Sequence, residues 1–302
     1  MSLSRKPYLQ IHLCVLLWGF TAILGKLISI AALPLVFWRM VIVCACLALW
    51  PPLWRKLARV PPRAVLACSG IGLLVTLHWL CFYGAIKLAN ASVAATCMAL
   101  GPVFLAVLEP RLSGRRFNGK ELMLALLAVP GVAMVVGGIP SSMREGFWLG
   151  VLSALLAAVF SIGNKRLAMA LPALAITAIE MATGVMALAL LLPLWGLLGA
   201  ELAWPDLTDG ALLLLLAVFC TLLPFALSLV AMRQISAFSA MLAVNLEPVY
   251  AVILAAILLG EQRQLDAVFY LGVVTILGAV LAHAWWRRGA TPALVPLVQN
   301  HG

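Results

Sequence analysis

Residues 87–114 read KLANASVAATCMALGPVFLAVLEPRLSG, and residues 233–260 read RQISAFSAMLAVNLEPVYAVILAAILLG. At a shift of 146 positions, Lys87 meets Arg233, Ala91 meets Ala237 and Ala94 meets Ala240. Leu100-Gly101-Pro102-Val103 meets Leu246-Glu247-Pro248-Val249, Leu108 meets Leu254, and Gly114 meets Gly260. Earlier in each half, Lys26 meets Lys165 at a shift of 139. Single matches among apolar residues carry little weight. A shared X-Pro-Val inside an apolar run, with a basic residue at one flank and glycine at the other, says that one unit has been used twice.

The composition states what kind of unit it is. Of the 302 residues, 65% are apolar and 10% charged, far from the usage of a water-soluble domain. A hydrocarbon core about 30 Å thick takes about 20 helical residues to cross. Apolar stretches of that size fall near 9–31, 34–54, 64–86, 92–112, 122–138, 147–168, 173–198, 211–232, 237–258 and 268–286. Runs such as Ala211 to Val218 do not alternate apolar and polar, so helices are expected rather than barrel strands. The expected fold is an all-α membrane protein of ten transmembrane helices. Five spans per half make the halves enter the membrane in opposite directions, an inverted-topology repeat. The division expected is 1–140 and 141–288 for the two five-helix repeats, with the boundary near Ile139-Pro140-Ser141-Ser142 and a tail from 289 to 302.

The formal net charge of +10 raises nucleic acid as a partner, but its placement argues against it. With the N-terminus inside, fifteen of the twenty basic residues fall at inner ends and loops, among them Arg55, Lys56, Arg59, Arg63, Arg115, Arg116, Lys165, Arg166 and Arg233. The outer loops hold Lys87, Arg144 and Arg263, while Lys26 and Arg39 lie within spans. Such a bias places both termini in the cytoplasm and makes the lipid bilayer the partner of the basic surface. The seven cysteines all fall in spans without metal-ligand spacing and read as packing residues. The charged, apolar N-terminus reads as an uncleaved first span. The chain has no phosphate-cradling glycine loop, no Cys/His metal cluster and no nucleophile elbow, so nothing points to soluble enzyme chemistry, a metal or a cofactor.

Leu17-Trp18-Gly19, Lys26, Arg39, Phe82-Tyr83-Gly84-Ala85, Asn164-Lys165, Leu246-Glu247-Pro248-Val249 and Leu259-Gly260-Glu261 together resemble the drug/metabolite transporter superfamily, specifically its ten-helix EamA-type members. The resemblance covers about residues 9–286. It implies a 5+5 bundle around a central cavity lined mainly by spans 3, 4, 8 and 9, and a secondary transporter of small metabolites or amino acids, often exporting them. The glutamate that follows the fourth helix in that family is Arg115 here, whereas the second copy keeps Glu261.

Polar residues inside spans are the site candidates, because a charge at the bilayer centre costs about 2.5–3.5 kcal/mol on insertion scales. Glu247, in mid-span, reads as a cation site or proton carrier, or as a cap for N–H groups freed around Pro248. Glu180 suits a pair with Lys165 or Arg166, and stands as a coupling candidate beside Glu247 and His78. Trp79, Phe82 and Tyr83 share one helical face at i, i+3 and i+4, suited to a substrate wall or to packing, with His78 on the adjoining face. Thr96 and Asn245 suit substrate hydrogen bonds or interhelical ones. Lys26 and Arg39 are expected to snorkel to the outer interface, the alternative being to hold a substrate carboxylate. The reading is a bacterial inner-membrane carrier of small organic molecules. Multidrug or organic-cation export is the rival within transport; an intramembrane lipid-modifying enzyme is the rival outside it.

Overall fold

The computed structural model describes residues 6–114, 116–127, 129–198, 201–244 and 246–288. The first half runs α1 (Lys6–Leu27), α2 (Ala32–Ala48), α3 (Pro51–Leu57), α4 (Pro62–Leu88), α5 (Ala91–Cys97), α6 (Gly101–Ser113), α7 (Gly119–Leu126) and α8 (Val129–Gly137). The second runs α9 (Arg144–Ala170), α10 (Ala173–Leu190), α11 (Leu207–Ala217), α12 (Leu223–Met232), α13 (Ala237–Val244), α14 (Glu247–Leu254) and α15 (Ala267–Arg288). The regular structure among the described residues is helical throughout. Among the described residues six helices are long and apolar enough to cross a bilayer, Lys6–Leu27, Pro62–Leu88, Ala91–Ser113, Ser141–Ala170, Ala173–Leu190 and Leu207–Met232, and the bent pair Ala32–Ala48 and Pro51–Leu57 makes a seventh if it is one broken span. The stretches Glu247–Leu259 and Ala267–Ala279 are apolar but shorter.

Proline decides where the helices break. The expected second span, 34–54, is not one helix: α2 ends at Ala48 and α3 leaves it at 98°. Pro51 and Pro52 start the new helix, and the residue before a proline is pushed out of the helical region, as Trp50 is at φ −105°, ψ 89°. The expected seventh span, 173–198, is α-helical only to Leu190 and then tightens to 3-10 geometry over Leu192–Leu198, around Pro193. Between α11 and α12 the chain widens to a π turn at Val218–Leu222, just ahead of Pro224. Thr221 Oγ1 there donates to the Leu216 carbonyl at 2.7 Å. Such wide turns recur at functional sites.

The repeat shows in the backbone. The first copy is interrupted by a 3-10 turn at Met98–Leu100 before Gly101-Pro102, and in the second, α14 starts at Glu247-Pro248. Gly114 and Gly260 both end their helices at positive φ, 68° and 66°, a conformation that glycine adopts without a Cβ clash. Packing follows the same exchange. α4 lies on α9 as α12 lies on α1; α5 and α6 meet α9 as α13 and α14 meet α1; α2 pairs with α10, and α8 with α15. The halves interlock. Gly146 and Gly150, one turn apart on α9, make one such contact tight, since a Cβ on either would stand 2.8 Å from the Ala89 Cβ or 2.7 Å from the Cys97 Sγ. Small residues at this spacing permit close helix approach where lipid offers no hydrophobic drive.

Candidate functional site

A cavity of about 110 Å³ opens where the two interrupted regions meet. α1 brings Trp18 and Thr21, α2 brings Arg39, and α4 brings His78, Trp79 and Phe82. α9 adds Phe160, Ser161 and Asn164; the π turn adds Thr221, α12 adds Phe225 and Ser228, and α14 adds Glu247. The expected lining by spans 3, 4, 8 and 9 is therefore widened. α1, α2 and α9 supply much of the wall, and the fourth span contributes Met98 alone among the described residues.

Arg39 is the central finding, and it corrects the expectation that it snorkels. It is 1% exposed. Nε donates to Thr221 Oγ1 at 2.6 Å, Nη1 to the Tyr83 hydroxyl at 2.7 Å and Nη2 to the Cys220 carbonyl at 3.4 Å. Its Cζ stands 3.8 Å from the Trp79 ring centroid and 5.5 Å from that of Tyr83. A buried charge is tolerable only when its donors are met, and ring faces add cation–π attraction. Three of the five N–H groups of a guanidinium are thus engaged, and the remaining two are left on a side chain that faces the cavity.

Glu247 stands on the other side of the same space, as the first residue of α14. The alternative of a cap for N–H groups freed around Pro248 is not what the structure shows. Leu246, the residue before the helix, makes no side-chain cap, and among the described residues no backbone N–H is bonded to the Glu247 carboxyl. Its carboxyl lies at the N-terminus of a half-helix, where the macrodipole favours negative charge. One cavity therefore presents a guanidinium and a carboxyl group with aromatic rings around them.

His78 lines the cavity as expected, but its Nδ1 is committed to Ser153 on α9, 2.9 Å from the carbonyl and 2.8 Å from Oγ. A carbonyl only accepts, so Nδ1 carries the hydrogen in this arrangement. The ring also lies against Phe82 and Phe160, with centroids 6.2 and 5.2 Å away. Trp79 and Phe82 line the cavity as expected. Tyr83 does not: it is fully buried behind Arg39 and positions that side chain. Thr96 is also outside the lining, and its hydroxyl bonds back to the Ser92 carbonyl of its own helix at 2.7 Å. Asn245 lies outside the described residues.

Glu180 does not pair with Lys165 or Arg166. Lys165 donates to the Met232 and Ile235 carbonyls, and Arg166 to the Leu112 carbonyl. Glu180 is sealed, 0% exposed, beside Asn164. Phe160, one helical turn before Asn164 on α9, carries no signal in the sequence. Asn164 sits in an Asn-Lys pair that was legible, but the direction it faces was not.

Residues 5–137 and 144–284 each match the family described as the EamA-like transporter family. A solved structure described as "Crystal structure of protein" superposes with a TM-score of 0.67 at 18% sequence identity, covering 93% of this chain and 97% of its own. No curated protein matches. With two copies of one family unit spanning an interlocked apolar bundle, this chain is an integral membrane protein that belongs to the EamA-like transporter family.

Proposed function

We propose that the chain is a secondary transporter of the bacterial inner membrane. It exports small zwitterionic metabolites, amino acids or related compounds, by alternating access. The cavity is the substrate site, reached in turn from either side as the two inverted five-helix repeats rock about it. Ten spans with both termini cytoplasmic complete the reading, supported by the basic residues gathered on one side.

One observation carries the substrate class: Arg39 and Glu247 face one aromatic-walled cavity. A substrate carboxylate takes the two open N–H groups of Arg39, and a substrate ammonium turns to Glu247 and the ring faces. Both charges are then compensated, which a low-dielectric site demands. Organic-cation export fits less well, because the fixed positive charge of Arg39 repels such a ligand.

The test is a thermal-shift screen of the purified protein against amino acids, nucleosides and cationic drugs. A ligand that binds the folded state raises the melting temperature by mass action. Amino acids should stabilise, and their esters, which lack the carboxylate, should not. Stabilisation by cationic drugs alone would replace this reading with multidrug export.

A further inference from the structure

Beside the cavity, behind Asn164, lies a group that the substrate reading leaves unused. Glu180 of α10 has both carboxyl oxygens sealed from solvent without a hydrogen-bond partner. Asn164 of α9 has its Oδ1 in the same condition. The two side chains touch. Three buried acceptors are thus gathered at one contact where the side-chain donor acting on Glu180 is the Asn164 amide alone, an arrangement that folded proteins avoid. Asn164 lies on the boundary, lining the cavity on its other side.

Among the described residues, no cation pairs with Glu180. From α4, Cys68 is the titratable group that acts on it. On α2, Arg39 is spent on Thr221, Tyr83 and Cys220. On α9, Lys165 and Arg166 hold backbone carbonyls. α3 carries Arg55 and Lys56, both exposed to solvent, and α12 (LPFALSLVAM) has no titratable side chain. Turning the Asn164 amide would aim its N–H2 at one Glu180 oxygen and leave the other without a donor, so a proton on Glu180 is the further donor that can be added without changing the chain. A protonated carboxyl both donates and accepts, whereas the ionised form only accepts.

We propose that Glu180 and Asn164 form a proton-binding site beside the cavity, in which the Glu180 O–H donates to Asn164 Oδ1. The proton comes from cavity water and returns to it when the α9–α10 contact opens. Because Asn164 also borders the cavity, this site senses what the cavity holds. It is separate from Glu247, which faces the cavity directly.

The experiment is infrared spectroscopy of the purified protein in lipid, following the carboxylic-acid C=O band with pH. A protonated-carboxyl band should be present at neutral pH, survive in Glu247→Gln and vanish in Glu180→Gln. In Asn164→Ala the band should persist but move to higher wavenumber, because the O–H has lost its acceptor. If Glu180→Gln fails to fold, the Asn164→Ala shift decides. Absence of a band at neutral pH, a band removed by Glu247→Gln instead, or one unmoved in Asn164→Ala would each overturn the proposal. None of these readouts depends on transport, so failure of the substrate reading and failure of this one are separable.

Discussion

The two proline-broken segments, 87–114 and 233–260, share a scaffold and differ in chemistry. Both open with a basic residue that closes another helix. Lys87 donates to the Ile28 carbonyl beyond the end of α1, and Arg233 to the Ala168 and Leu171 carbonyls at the end of α9. Both cap their own helix start with a side chain, Asn90 accepting from Val93 N at 2.9 Å and Ser236 from Ser239 N at 3.0 Å. Both end at a left-handed glycine. At the break itself they part. In the first copy Gly101 is buried, Thr96 bonds to its own helix, and only the apolar Met98 reaches the cavity among the described residues. The second puts Glu247 into the cavity. The repeat conserves what the backbone needs in lipid, namely partners for helix-end N–H and C=O groups, and leaves the ligand-facing residue free to diverge.

Glu261 shows the other side of the same divergence. It is 1% exposed, and its carboxylate accepts from Ala91 N at 3.0 Å, Ser92 N at 2.9 Å and Ser92 Oγ at 2.6 Å. It is a bridge from the second copy to the first copy's helix start, which makes it architectural rather than part of the site.

Four substitutions test this contrast between scaffold and site. Glu261→Ala should have the largest effect on the fold, removing a charge-assisted cap from three buried donors at about 4 kcal/mol. The folded protein recovered from membranes should fall sharply, while whatever folds still binds ligand. Arg39→Gln should weaken amino-acid binding by about 3 kcal/mol, roughly a hundredfold, read by calorimetry. Loss of binding with Glu261→Ala and none with Arg39→Gln would invert the assignment. Glu247→Gln should cost binding about 2 kcal/mol, roughly thirtyfold, with the melting temperature of the unliganded protein within a few degrees of the parent. A collapse in that melting temperature would return Glu247 to the scaffold. Thr96→Val should be the mildest, below about 1 kcal/mol in stability and without change in affinity, since the hydroxyl only bonds back within its helix. An affinity loss matching that of Glu247→Gln would erase the distinction between the two copies.

Much of the fold was legible because lipid imposes local rules. A long apolar run must be helical, a proline must disturb it, and a repeated X-Pro-Val in two such runs marks repeated breaks. The second span is not continuous because Pro51-Pro52, at the end of its apolar run, starts a new helix rather than extending the old one. Of the aromatic face on α4, Trp79 and Phe82 reached the cavity while Tyr83, on the same face by spacing, turned behind Arg39. Spacing along one helix does not say which neighbour stands opposite.

By itself, the sequence determined that this chain is a two-copy apolar helical bundle, and which few polar residues had to be accounted for inside it. Those follow from hydropathy, proline chemistry and backbone satisfaction, each written within a short stretch of chain. Only the tertiary structure decided that Arg39 and Glu247 share one cavity, that Thr96 satisfies itself, and that Glu180 is sealed against Asn164 instead of paired with Lys165. The reason is that helices in lipid are apolar on every side. No polar stripe separates the face toward lipid from the face toward the core, so the direction of each buried polar group is set by packing between segments far apart in the chain.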